Sequence, residues 1–251
     1  MLKSLFRSKP KAKRREKRAA PTRGLLAVDG VDVAVSVKLN SRARRIVLRV
    51  NPASGEVVVT APARGGPAPA LAFARCETQW IARQLQRMPE QVALMPGADV
   101  PYLGASHPIR HSAVRGPGPV WAEDGVLMVS GRLEHAQRRL LDFFKREARE
   151  LFAMRAVEYA ARLEARPQRI TVRDTKSRWG SCSQQGALSF CWRLIFAPDY
   201  VRDYVVAHEV AHLREMNHSP RFWAHVKTLS PDSARARQWL RDHGRTLLRY
   251  N

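Results

Sequence analysis

The chain has 251 residues, 45% hydrophobic and 26% charged, which supplies a folded core and excludes a chain disordered throughout. Lys and Arg number 44 against 22 Asp and Glu, a net charge of +22, so anionic partners are favoured. Three cysteines (Cys76, Cys182 and Cys191) are too few for a disulfide framework and fit a reducing compartment.

Residues 1–24 read as a basic tail, with ten basic residues and one acid, Glu16. Charge recurs every two or three residues there, so no apolar stretch of signal-peptide length forms, and a cytoplasmic location is expected. No run in the chain approaches the ~18 apolar residues of a membrane span. The tail suits non-specific contact with nucleic acid or another anionic surface. The rest of the chain still holds 34 basic against 21 acidic groups. An arginine-rich solvated surface explains the same composition without any partner.

Pro21 to Gly24 reads as a linker. Val31, Val33, Val35, Val37 and Leu39 then repeat with the period of two that marks a strand. Residues 46–50 and 57–60 continue that pattern across the turn cluster Asn51-Pro52-Ala53-Ser54-Gly55, and three antiparallel strands are the simplest arrangement. After a Gly- and Pro-rich loop, residues 70–88 are predicted to form one helix with Leu71, Phe73, Trp80, Ile81 and Leu85 on its apolar side. Short strands return over 99–130, with a turn at Tyr102-Leu103-Gly104 and a break at Gly116-Pro117-Gly118-Pro119.

A long helix is expected over 133–165. Leu133, Leu140, Phe143, Phe144, Phe152, Met154 and Val157 fall mostly on one face, and Arg138, Arg139, Lys145, Arg146 and Arg149 on the other. Residues 170–173 form a strand. Residues 178–192 form a hairpin through Gln184-Gln185-Gly186, with Cys182 and Cys191 read as buried apolar residues within it. Asp199 is placed as N-cap of the next helix, and two closing helices follow over 220–229 and 233–248. The sequence shows no internal repeat. The order of elements is α+β: an antiparallel-strand-rich N-terminal part (25–130) followed by a compact core (131–251) within one domain, 25–251.

The chemistry concentrates in His208-Glu209-Val210-Ala211-His212. Positions i and i+4 share a helix face, so both imidazoles can address one point, with Glu209 beside it. Tyr204, Val205, Val206, Ala207, Val210, Ala211 and Leu213 make this a buried helix, where three ionisable groups would be costly without a compensating cation. Asn217, tolerated in the left-handed conformation, offers a way out of the helix, and His218 then turns back as a third ligand. Ser219-Pro220 starts the next helix. Three imidazoles leave a tetrahedral zinc one position for water, as a catalytic site requires.

Ser177-Arg178-Trp179-Gly180-Ser181-Cys182, Trp192-Arg193-Leu194, Pro198, the stretch Tyr204 to Leu213, and Asn217-His218-Ser219-Pro220-Arg221-Phe222-Trp223 together resemble the YgjP-like metal-dependent hydrolases. That family is related to the SprT-like and WLM zincin peptidases. The resemblance runs from about residue 31 to 247, including Arg42-Ala43-Arg44-Arg45, and omits the basic tail. It implies a compact zincin core with His208, His212 and His218 on zinc and Glu209 as the catalytic carboxylate. Val210 stands where many relatives carry Leu.

Arg178, Trp179 and Arg193 are the candidates for substrate contact. Core packing is the competing account of Trp179 and the favoured one for Trp192, and Arg193 has the alternative of pairing with an acid inside the fold. Three functions fit these features. The first is a zinc metallopeptidase with Glu209 as general base. The second is a zinc hydrolase of nucleoside triphosphates or other phosphoanhydrides. The third is a nucleic-acid-associated protein using the tail and the basic helix face.

Overall fold

The computed structural model describes residues 22–51, 54–88 and 90–250. Most of the basic tail therefore lies outside the described residues. Two compact units are present, one within Met1–Val50 and Glu56–Arg83, the other within Asn51–Gly55 and Gln84–Asn251. The strands between 99 and 130, grouped by sequence with the N-terminal part, belong to the second unit.

The first unit is built on four strands: β1 (Thr22–Val28), β2 (Val31–Asn40), β3 (Val47–Val50) and β4 (Val57–Pro62). Thr22 to Gly24, assigned above to tail and linker, are the start of β1 and pair with Val37 to Val35. The sheet order is β1-β2-β4-β3, and β2 and β4 run parallel, which corrects the all-antiparallel expectation. The reason is burial. In β4, Val57, Val59 and Ala61 are almost wholly enclosed, so this strand takes the protected place between β2 and β3. The single helix expected next is two, α1 (Ala68–Cys76) and α2 (Thr78–Gln86). They part at Glu77, whose φ of −100° and ψ of 20° leave the helical region.

In the second unit β5 (Asp99–Val100), β6 (His107–Ser112), β7 (Val120–Glu123) and β8 (Val126–Ser130) form a sheet of order β5-β6-β8-β7. Its outer pairs are antiparallel and its central pair parallel, the same plan as in the first sheet. The repeat absent from the sequence is present in the topology. The 27-residue helix α3 (Ala136–Arg162) follows and buries Leu140, Phe143, Phe144, Ala148, Phe152 and Ala156. Met154 and Val157, placed by sequence on its apolar face, are exposed, because the buried stripe is narrower than the apolar pattern, and Leu133 is exposed in the turn that precedes the helix.

A second sheet in this unit has the order β10-β11-β9, from β9 (Arg169–Arg173), β10 (Gly180–Cys182) and β11 (Ala187–Cys191). The expected hairpin is β10–β11, and β9 adds to it in parallel with Ile170 opposite Leu188. Helix α4 (Asp199–Ala211) carries the histidine motif and packs against α3, α5 (Pro220–Leu229), α6 (Ser233–His243), β10 and β11. One continuous core joins Phe144, Phe152, Phe190, Trp192, Phe196, Val206, Val210 and Phe222. The α+β expectation holds.

Asp199 does not cap α4. Pro198 holds the N-cap position, and the Asp199 carboxylate accepts from Arg155 and, at 2.7 Å, from the buried Arg202. Arg202 also donates to the Ala197 carbonyl at 2.6 Å. Ion pairs thus anchor this end of α4, and both terminal nitrogens of the buried Arg202 guanidinium, which would otherwise be costly, are engaged, while its Nε has no partner among the described residues. Among the described residues no helix is long and apolar enough to cross a membrane.

Candidate metal centre

Helix α4 presents Tyr204, His208 and His212 at intervals of four, one turn apart on the same face. The α-helix ends at Ala211, and His212 continues it with φ −65° and ψ −16°. A tight turn follows: Leu213 and Arg214 donate to carbonyls three residues back. The escape from the helix uses this turn. Asn217 is not left-handed, since among the described residues the non-glycine positions with positive φ are Asp29, Leu103, Asp124 and Glu164. Ser219 caps α5 as expected, its hydroxyl accepting from the Phe222 amide at 3.2 Å.

This path returns His218 to the motif. One ligand atom from each of His208, His212 and His218 lies within 4.8 Å of the others. His208 Nε2 and His218 Nε2 are 3.2 Å apart. Two nitrogens held ~2.0–2.1 Å from one tetrahedral ion lie about 3.3 Å apart, so this spacing fits a shared metal. Phe222, wholly buried, packs under all three imidazoles with ring centroids 4.9, 4.5 and 4.7 Å away from those of His208, His212 and His218.

The opposite ring nitrogens of His208 and His212 are engaged. With Nε2 as the ligand atom, Nδ1 carries the proton. His212 Nδ1 then donates to the Glu215 carbonyl at 3.0 Å, and His208 Nδ1 to the Tyr204 hydroxyl at 3.4 Å. Burial, followed by the neighbouring imidazoles His212 and His218 and by Arg237, pushes the His208 pKa down to about 4. Burial also lowers that of His212. Both therefore stay neutral at physiological pH, the state in which an imidazole binds a metal.

Glu209 is 6% exposed, and burial raises its carboxyl pKa to about 7 against an opposing pull from Arg178. Its side chain lies against β10, where a Cβ added to Gly180 would come within 2.5 Å of Cγ and Oε1. Burial, and after it the nearby Glu209, lifts the half-buried Cys182 thiol to about 11, so this cysteine stays a protonated wall. Cys191 is buried, as expected, and donates to the Thr175 carbonyl at 3.3 Å.

The three substrate-contact candidates part ways. Arg178 is exposed and electrostatically coupled to Glu209. Trp179 is half-buried, packs against the core and sits over Gly244, where an added Cβ would meet its ring at 3.2 Å. Arg193 is buried, donating to Asp174 and, at 3.0 Å, to the Tyr250 carbonyl. It thus follows its alternative, an acid partner inside the fold. Trp192 is 1% exposed and belongs to the core. Sequence reasoning assigned no role to Tyr204, Phe222 or Gly180. The four-residue spacing to His208 is a signal for Tyr204; nothing in a single sequence marks Gly180 as a contact of Glu209.

No curated protein sequence matches the chain significantly. Among solved structures it is similar to the metallopeptidase zymogen abylysin of Pyrococcus abyssi, at 25% identity over 41% of this chain and 96% of that one, with a TM-score of 0.32. The family model for the YgjP-like metallopeptidase domain matches residues 44–243, which include His208, Glu209, His212 and His218. With four-fifths of its length under that match, the chain belongs to the YgjP-like metallopeptidase domain family.

Proposed function

We propose that the protein is a zinc metallopeptidase in which His208, His212 and His218 hold the ion and Glu209 is the general base. One observation carries this reading: nitrogens of His208 and His212, at the end of the helix that bears a buried carboxylate, and of His218, from the connection after it, converge within 4.8 Å. Three nitrogen donors suit zinc, and a set of three protein ligands is that of a catalytic site. Zinc bound there would supply Lewis acidity and acidify the water it holds.

The protein's own groups do the rest. Glu209, buried on the helix that carries His208, is the carboxylate we assign to accept a proton and hand it to the departing amine. Gly180 and the Cys182 strand restrict where that carboxylate sits. Arg178, exposed and electrostatically coupled to Glu209, is the residue we assign to substrate contact. Family membership supports a peptide bond over a phosphoanhydride. Neither nucleotide hydrolysis nor nucleic-acid contact gains support from the site.

The purified protein is expected to carry about one zinc, lost in His212→Ala, as a three-histidine site requires. Glu209→Gln should retain zinc and lose roughly 10²- to 10⁴-fold in cleavage of casein-derived peptides, the range of a missing general base. ATP hydrolysis assayed on the same preparations separates the phosphoanhydride alternative. Peptide cleavage undiminished in Glu209→Gln refutes the assigned role.

A further inference from the structure

A second concave site adjoins the metal centre. The segment after α3, the β10–β11 turn and the turn after α4 enclose a cavity of about 300 Å³. Its lining includes Arg166, Gln168, Gln184, Gln185 and Arg214, together with the metal-ligand residue His212. The three segments are fastened to one another: Gln168 N–H donates to the Gly186 carbonyl at 2.9 Å, and a Cβ on Gly186 would touch Leu213 at 3.5 Å. The cavity is therefore part of the folded framework.

Its charge is one-sided. Two arginines line it and no Asp or Glu does. Both arginines are exposed, and among the described residues no ion pair or hydrogen bond engages either guanidinium. Elsewhere in this unit half-buried or buried arginines such as Arg155, Arg193 and Arg202 are each matched to a carboxylate. Two guanidinium forks beside neutral amide side chains are suited to bind a carboxylate in bidentate fashion and to repel a lysine or arginine. At about 300 Å³ the space is at the small end of ligand sites, the scale of a side chain or chain end and not of a folded partner. His212 lines this cavity and also belongs to the histidine cluster, so the two sites share one side chain.

We infer that this cavity is a specificity pocket for a carboxylate of the peptide substrate, an acidic side chain or the chain terminus, read by Arg166 and Arg214. The inference rests on the peptidase reading. It calls for a test that does not depend on turnover.

The probes are peptide hydroxamates, whose hydroxamate binds the metal, in matched forms carrying Glu or Gln and ending in a free or amidated carboxyl group. Binding to the zinc-loaded full chain is measured by calorimetry. The Glu form, or the free-acid form, should bind wild type about ten-fold or more tightly than its neutral counterpart. In Arg166→Ala/Arg214→Ala that difference should vanish, with zinc content and affinity for the Gln amide form unchanged. Which of the two charged probes is preferred identifies side chain or terminus as the source. Equal binding of charged and neutral forms, a preference that survives in the double variant, or no binding of any form to zinc-loaded protein overturns the pocket. A phosphoserine form preferred over Glu overturns its assignment to carboxylate. Peptide cleavage by wild type against Glu209→Gln decides the peptidase reading separately.

Discussion

A Cβ on Gly180 would stand 2.5 Å from Cγ and Oε1 of Glu209, so strand β10 and the carboxylate of α4 share space that only glycine leaves free. Gly180 lies within a strand and outside the positive-φ region, so the requirement is close approach and not backbone conformation. Gly180→Ala should therefore displace the Glu209 side chain and leave the histidines in place. Zinc content is expected to hold, peptide cleavage to fall about 10²-fold through misplacement of the base, and stability to drop by about 1–3 kcal/mol from overpacking. Metal analysis, kcat/KM and urea denaturation measure the three. Wild-type activity in this variant would mean that the carboxylate's position is immaterial.

The Tyr204 hydroxyl lies 3.4 Å from Nδ1 of His208, the ring nitrogen opposite the one that faces His218. Removing an outer partner of a histidine ligand lowers metal affinity by 10- to 100-fold, and a contact as long as 3.4 Å places Tyr204→Phe near the lower end, about ten-fold. A chelator competition titration gives the value. An unchanged affinity would show that packing by Phe222 alone orients the imidazole.

The pH dependence of metal-free stability contains two opposed contributions. His208, depressed from 6.5 to about 4, contributes stability present above pH 6.5 and lost as pH falls toward 4. Glu209, raised from 4.5 to about 7, contributes stability present below pH 4.5 and lost as pH rises through 7. The two slopes oppose each other between pH 4.5 and 6.5. Glu209→Gln removes the second. Metal-free Glu209→Gln should then gain stability more steeply than wild type from pH 4.5 to 6.5 and exceed it above pH 7. Urea denaturation of zinc-stripped protein across that range is the measurement. A difference between the two proteins that is flat with pH would contradict a buried, titrating carboxyl.

The histidine cluster was legible because its information is local. His208, Glu209 and His212 are fixed by helical spacing, and Ser219-Pro220 marks the restart that bounds where His218 can sit. The reading faltered where a residue had two partners to choose from. Asp199 has the identity and position of an N-cap, yet its carboxylate goes to Arg155, distant in sequence, and to Arg202. Arg193 resembles a free cation in a motif and is instead buried on Asp174 and the Tyr250 carbonyl. Strand order failed for the same reason. Alternation marks β2, β3 and β4 as strands, but which of them sits in the middle depends on which is most enclosed.

The sequence by itself determined the histidine cluster, the carboxylate on the same helix and the α+β class, since each follows from residue type and short-range periodicity. Only the tertiary structure decided what faces those residues: Gly180 against Glu209, Phe222 beneath the imidazoles, and Arg166 and Arg214 in the cavity at His212. These meetings join β10, α4, α5 and two separate turns. Such long-range contacts are set by packing of the whole core, and no spacing rule within one segment specifies them.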